Sequence, residues 1–421
     1  MEVTRVFHPV GQGAFYTESF EDKRMVVYDC GGKSREFMEE YIDSFLPENP
    51  KQQIDAIFIS HLHNDHINGL DHLLSRANVK KIFLPLFTPN EIVESLLFNT
   101  AFFQKKESVD SNQTILALLT RSSDRTQIIE VDEFREDNTF PDNQLLNLDE
   151  ELNKRNEISH GTQLELAINS DLNSHASHLS WIYIPYNTEF PAPTLDFTGI
   201  KEVEIIEPIV RDILSIYEKI KEVNDKRYYI QGTEELITFL QSTAIYKVKD
   251  VYKALYGGVH NSQSMTVFSG LRIKDGDYFD IISQSNLLRN ACNKSYWHCH
   301  HGMCDCMCHI YCEEKVPCNF LYMGDFEAKV EKHFKALKLF YTRQDVWDTL
   351  CGIQIPHHGS RDNYNKGLYD DKCFAIASAG IKNQYNHPHI DTLINIVNQG
   401  CCPNVVTEDI NTLKYQHFNI K

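Results

Sequence analysis

The densest chemistry in this sequence lies in six residues, His61-Leu62-His63-Asn64-Asp65-His66. They follow an apolar run, IDAIFIS, that reads as a buried strand. Alternate residues of a tight loop can point into one small volume, and three imidazoles with a carboxylate suit zinc or a similar divalent ion. Three further pieces carry similar chemistry: Gly324-Asp325 at the end of FLYMG, His357-His358-Gly359-Ser360 at the end of CGIQIP, and His387-Pro388-His389. All four follow or flank strands, so they can share one edge of a sheet.

A second concentration is made of cysteine. Of 12 cysteines, seven (Cys292, Cys299, Cys304, Cys306, Cys308, Cys312 and Cys318) fall between residues 292 and 318. The N-terminus, MEVTRVFHPVGQG, has no apolar core of signal-peptide length and reads as a first strand. That predicts a cytoplasmic, reducing setting, where clustered cysteines bind metal more often than they pair. Cys299, Cys304, Cys306, Cys308 and Cys312 are therefore candidates for an additional structural zinc. No clean C-x-x-C pair fixes the ligand set, and reduced thiols or a redox sensor stay open.

Elements that alternate strand and helix must position these groups. RVFHPV, MVVYDC, IDAIFIS and VKKIFLPLF read as strands, with REFMEEYIDSFL and GLDHLLSRA as helices between them. From about 90 to 258 the pattern becomes mostly helical, interrupted by the strands IIEVDEF and WIYIPYN. Its part from 190 to 258 could extend the core or close over the site as a lid. SQSMTVFSGLRI and CNFLYMG read as adjacent strands separated by a Cys/His-rich insertion at about 276–318. CGIQIP, CFAIASAG, NVVTED and LKYQHF read as the last strands, with HIDTLINIVNQG a helix closed by Gly400. The expectation is one α/β domain over 1–421 carrying two insertions.

Composition narrows the function classes. Among 421 residues, 41 Lys+Arg stand against 59 Asp+Glu, a net charge of −18. Such a surface repels nucleic-acid phosphates at long range, and no basic patch with interleaved aromatics is evident. No run approaches the ~20 apolar residues of a membrane span.

The His-x-His-x-Asp-His loop resembles the signature of the metallo-β-lactamase fold superfamily. The chain is most similar to the branch typified by the hydrolase domain of the competence protein ComEC. The similarity runs through Val10-Gly11-Gln12-Gly13, Tyr28-Asp29-Cys30-Gly31-Gly32, Ser60 with the His loop, Asn261 and Ser264. It continues through Gly324-Asp325-Phe326-Glu327, Ile355 to Arg361, Ser378-Ala379-Gly380 and Asn386 to His389. The resemblance implies an αββα sandwich with two divalent ions, Zn²⁺ or Mn²⁺, at one edge of the two sheets. It implies His61 and His63 on the first ion, Asp65 and His66 on the second, and Asp325 bridging. His357 or His358 would complete the second site, with His357, nearer the strand end, the first choice. Either His260 joins the first site or, with Asn261 in that stretch, the first site keeps an open position.

A metal-dependent hydrolase is what the resemblance implies. Paired ions ~3.5–4 Å apart hold a hydroxide and clamp a phosphate or a carbonyl. Asp65 would bind and orient the nucleophile, while His387 and His389 would contact substrate or protonate a leaving group. Ser360 and Arg361 would hydrogen-bond a phosphate. Phosphodiester cleavage is the leading expectation, by a nuclease or phosphodiesterase with a role in phage defence. Hydrolysis of a cyclic nucleotide, lactone, β-lactam or thioester is the alternative, and a non-catalytic interaction module is a third.

Overall fold

The computed structural model describes residues 1–46, 51–120, 126–134, 145–148, 157–159, 161–167, 180–187, 207–222, 230–256, 264–272, 281–287, 308–309 and 316–420. Two mixed sheets face each other. The first begins on one edge with β13 (Cys308–His309), β12 (Ile281–Ser285) and β18 (Lys414–Ile420). It continues through β1 (Glu2–Phe7), β2 (Phe15–Phe20) and β3 (Met25–Cys30). It ends with β4 (Gln53–Phe58), β5 (Asn78–Pro85), β6 (Gln127–Val131) and β8 (Glu157–Ile158). From β3 to β8 the pairing is parallel; from β13 to β3 it is antiparallel. The second sheet runs β17 (Cys402–Val406), β16 (Phe374–Ser378), β15 (Leu350–Gln354) and β14 (Val316–Tyr322) in parallel. It ends with β11 (Thr266–Leu271), β10 (Ser180–Tyr186), β9 (Gln163–Ala167) and β7 (Leu145–Asn147).

The strand period of two sorts side chains into layers. On β10, Trp181 and Tyr183 enter the core between the sheets, while Ile182 and Ile184 pack outward with Phe334, Leu337 and Ile396. On β3, Val26 and Tyr28 face inward, while Met25 and Val27 pack outward with Met38 and Ile42 of the helix Arg35–Phe45. The result is an α/β sandwich of helices, sheet, sheet and helices; the alternating elements predict the α/β class, and the four layers are those that the resemblance implies.

One group breaks the apolar rule between the sheets. Arg5 and Glu18 are buried and paired at 2.7 Å. Arg5 also donates to Gln416 Oε1 (3.1 Å) and Cys318 O (2.9 Å). Glu18 accepts from Trp181 Nε1, Ser269 Oγ, Tyr183 Oη and Tyr322 Oη. Burial pushes the Glu18 carboxyl up, but Arg5 and these donors leave it below its ordinary range.

The segment 90–258 is woven into both sheets, because β6 and β8 end the first and β10, β9 and β7 end the second. Its helices Pro89–Phe102, Lys105–Thr120, Glu207–Glu222, Ile230–Ser242 and Ile245–Tyr256 share the outer core of the first sheet. Ile213, Leu236 and Val251 lie in the same apolar cluster as Ile57 of β4. The described helices of 190–258 thus extend the core. The insertion at 276–318 also reaches the first sheet, through β12 and β13. The strand β2 and the helix Glu331–Arg343 are not among the expected elements.

Candidate metal centre

The strands β3, β4, β14, β15 and β16 all end on one edge of the sandwich, and the loops leaving them carry the clustered residues. Carboxyl ends of parallel strands are where open α/β sheets collect ligands. The His61–His66 loop leaves β4, and a short helix, Asn64–Ile67, turns Asp65 and His66 back under it. Gly324, at φ +50°, ends β14; a Cβ there would collide with Ser60 and Ser264, so glycine lets Asp325 come close. Asp325 N–H donates to Ser264 Oγ at 3.0 Å. After β15, His357 and His358 hold consecutive left-handed backbones at φ +48° and +54°. Non-glycine residues in that region are strained, and such strain gathers at functional sites.

Two triplets result. Ligand atoms of His61, His63 and Asp325 lie within 4.8 Å of one another, and so do those of Asp65, His66 and His358. Asp325 stands between the triplets. Its Oδ2 is 3.6 Å from His61 Nε2, and its Oδ1 is 3.2 Å from His66 Nε2 and 3.6 Å from His358 Nε2. Asp65 Oδ2 approaches His358 Nε2 at 3.3 Å. His357 Nε2 lies 3.7 Å from Asp325 Oδ2 but belongs to neither triplet.

The far side of each imidazole is anchored. His66 Nδ1 meets Asp29 Oδ2 at 2.8 Å, and Asp29 is itself fixed by Ser60 N–H (2.7 Å) and Oγ (2.8 Å). His358 Nδ1 donates to Ser378 O at 2.9 Å, which leaves Nε2 as the nitrogen turned toward Asp65 and Asp325. His61 Nδ1 contacts Ser60 Oγ (3.0 Å), and His357 Nδ1 contacts Asn363 Oδ1 (2.8 Å). His63 turns Nε2 toward Glu94 Oε2 at 3.3 Å and stacks on Phe98 at 3.8 Å, leaving Nδ1 as its other ligand atom. Outer partners of this kind orient the histidines of metal sites.

The near side is open. The Nε2 atoms of His61, His66 and His358 are buried yet make no hydrogen bond among the described residues. Each sits 3.2–3.6 Å from a carboxylate oxygen in poor hydrogen-bond geometry. Buried imidazole nitrogens left without a hydrogen bond beside shared carboxylates are a donor set that fits a divalent cation.

Electrostatics follow from burial and crowding. Burial pushes Asp325 up, but the imidazoles of His357, His66, His358 and His61 hold it well below its ordinary value. Asp65 is likewise depressed, against burial, by His358 and His66. Burial lowers His66, yet Asp325 and Asp29 raise it well above the usual imidazole value; Asp325 and Asp65 do the same, less strongly, for His358. Burial, with His66 and His63 beside it, drives His61 well down.

The other expected residues fall into place around this core. His387 is half-buried, its ring 5.3 Å from His357 and 6.4 Å from His358. Burial and those neighbours lower its pKa to about 3. His389 caps the helix Ile390–Asn398, its Nδ1 accepting from Asp391 N–H at 3.3 Å. Ser360 Oγ accepts from Asp362 N–H at 3.1 Å, and Arg361 is exposed on the same turn. His260, Asn261, Cys299, Cys304, Cys306 and Cys312 lie outside the described residues, and Cys308 is described only as part of β13. Asp29 and Ser378, which fall in motifs that carry the resemblance without a role assigned to them, and Glu94 and Asn363, which no motif points to, complete the arrangement.

Comparison with known proteins adds one match. A family model described as Anti-Pycsar protein Apyc1 matches residues 15–127, the stretch that holds Asp29, the His61–His66 loop and Glu94. No curated protein matches the chain. Among the described residues no helix is long and apolar enough to cross a membrane.

Proposed function

We propose that the chain is a metal-dependent phosphodiester hydrolase of the metallo-β-lactamase type, acting on a cyclic nucleotide. The observation that carries this is the pair of His/Asp triplets joined by Asp325, with three buried imidazole nitrogens open toward a common space. His61, His63 and Asp325 would hold one ion; Asp65, His66, His358 and Asp325 would hold a second. Asp325 has one oxygen near each group, as a bridging ligand requires. When bound, two such ions polarise a phosphoryl oxygen and bring a water's pKa down to about 7.

The chain's own residues do the rest. Asp65, depressed and ionised, accepts a hydrogen bond from the attacking water and orients it. His357 faces the same space with Nδ1 held by Asn363, so its ring is positioned to meet a substrate oxygen. His387, kept neutral by burial and its neighbours, lies behind it as a hydrogen-bond partner for the leaving oxygen, which takes its proton from solvent, and Arg361 offers a charged donor at the rim. A net charge of −18 disfavours a long polyanion and favours a small diester. The anti-Pycsar name of the matching family supports a setting in phage conflict and, with the charge, a cyclic mononucleotide over DNA or RNA. The Cys/His-rich insertion is a separate proposal, a structural zinc held by some of Cys299, Cys304, Cys306, Cys308 and Cys312.

The test is direct. Purified protein with Mn²⁺ or Zn²⁺ is incubated with cyclic mononucleotides, single- and double-stranded DNA, RNA and a lactone. Cyclic-nucleotide turnover that chelator abolishes and metal restores is expected. Faster turnover of the lactone than of every phosphodiester overturns the reading.

A further inference from the structure

Tyr385 stands beside the candidate centre without a part in it. Its ring is 40% exposed and stacks on His387 at 5.7 Å and 29°. His387 in turn borders His357 and His358, so a row of rings leads from the rim down to the metal-ligand candidates. The Tyr385 hydroxyl also feels the Asp65 carboxylate, which together with burial raises its pKa.

The loop holding this ring is braced. Asn383 Nδ2 donates to Gly380 O (2.7 Å) and His387 O (2.5 Å). Asn383 Oδ1 accepts from Tyr385 N–H (3.2 Å) and His387 N–H (2.8 Å). Gln384 Nε2 reaches the Tyr385 hydroxyl at 3.1 Å. One asparagine thus ties both ends of the turn to its middle. A ring presented on a pre-ordered loop gives up little entropy when a flat ligand covers it.

We propose that Tyr385, backed by His387, is a stacking platform for the nucleobase of the substrate. The proposal rests on the phosphodiesterase reading and adds the ligand class: a nucleotide recognised through the π-face of its base. In a cyclic nucleotide the base hangs on the far side of the ribose from the phosphate. With the phosphate at the His/Asp cluster, the base is left at the rim where Tyr385 lies. Stacking is tolerant of base identity, since every base offers a π-face. The platform therefore selects nucleotides over base-free phosphates but discriminates weakly among bases.

The experiment measures binding, so it does not depend on turnover. Wild-type protein in Mn²⁺ is titrated with 2-aminopurine riboside 5′-monophosphate, read by quenching of the base fluorescence, and with ribose 5-phosphate as competitor. The wild type is expected to prefer the nucleotide by about 5- to 100-fold, the range of one base–aromatic stack. Tyr385→Phe should keep most of that preference. Tyr385→Ala and Tyr385→Leu should remove it, the second keeping apolar bulk without a π-face, while ribose 5-phosphate binds as before. An unchanged preference in both variants, equal loss of both ligands, or no preference in the wild type overturns the platform. Failure of the wild type to hydrolyse any phosphodiester would instead sink the reaction assigned above, and the titration would still decide the platform.

Discussion

Two buried ionic clusters lie in the sandwich, one between the sheets around Arg5 and Glu18 and one in the loops at its edge around Asp325, and they are closed in opposite ways. Between the sheets, Arg5 and Glu18 satisfy each other and recruit Gln416, Cys318 O, Trp181, Ser269, Tyr183 and Tyr322. The guanidinium is spread over acceptors and the carboxylate is saturated with donors. At the sandwich edge, the imidazoles are satisfied on one side only, and the Nε2 atoms of His61, His66 and His358 open inward. A buried charge network that closes on itself links two sheets. One that stops short of closing is arranged for something that enters. Burial and charge alone do not separate the two; the unmade hydrogen bonds of the ionisable groups do, since around Arg5 and Glu18 it is the neutral Gln416 Nε2 that is left over.

The comparison breaks most sharply at Asp325. Asp325→Ala removes the carboxylate that, among the described residues, touches both triplets and should lower phosphodiester turnover by at least about a thousand-fold, several kcal/mol of transition-state stabilisation. The metal-free variant should still fold, because the imidazoles keep their outer anchors; circular dichroism and metal content check both halves. Arg5→Ala should do the reverse. It strands Glu18 in the core and should cost about 3–5 kcal/mol in denaturant unfolding, with the surviving folded protein still binding metal. If Arg5→Ala were harmless to stability, the self-closed cluster would not be structural.

Glu94→Gln is a smaller perturbation. It removes the charge that His63 Nε2 faces, and outer-ligand losses typically weaken metal binding about 10- to 100-fold. Tyr252 donates to Glu94 Oε1 at 2.6 Å from the helix Ile245–Tyr256, so Tyr252→Phe should follow with a weaker effect, about 0.5–1.5 kcal/mol. Chelator competition measures both, and no change in either would leave Glu94 a bystander.

The pH dependence sharpens the contrast further. His66 and His358 have raised folded-state values, so in metal-free protein they hold protons above the ordinary pKa of about 6.5. Their contribution to stability is full below 6.5 and fades as pH rises through the raised values. Metal must displace those protons, so the gain in melting temperature on adding metal should grow from pH 6 to pH 8. A gain that shrinks with pH would contradict the ligand assignment.

Much of this clustering was legible because residues able to ligate a metal are chemically narrow and crowd into short loops. His61 to His66, Asp325 and the His357-His358 pair announce themselves by residue type next to apolar strands. Which of the two neighbouring histidines joins Asp65 and His66 was not legible, since it turns on two consecutive left-handed backbones. Glu94 was hidden for another reason: one acid in a largely apolar, buried helix gives no sign of its partner until tertiary packing turns it toward His63. Strand β2 was missed because its inward positions are Tyr16, Glu18 and Phe20, and a core glutamate masks the alternation. The helices of 190–258 were legible as helices, but their place in the outer layer of the first sheet depends on contacts far apart in sequence.

Crystals of the wild-type protein grown with Mn²⁺ and measured at an anomalous wavelength test the central claim most directly. The account predicts two peaks flanking the Asp325 carboxylate, one beside His61 and His63 and one beside Asp65, His66 and His358. An empty cluster in crystals that contain Mn²⁺, or His66 Nε2 and His358 Nε2 turned to protein acceptors instead, would contradict it.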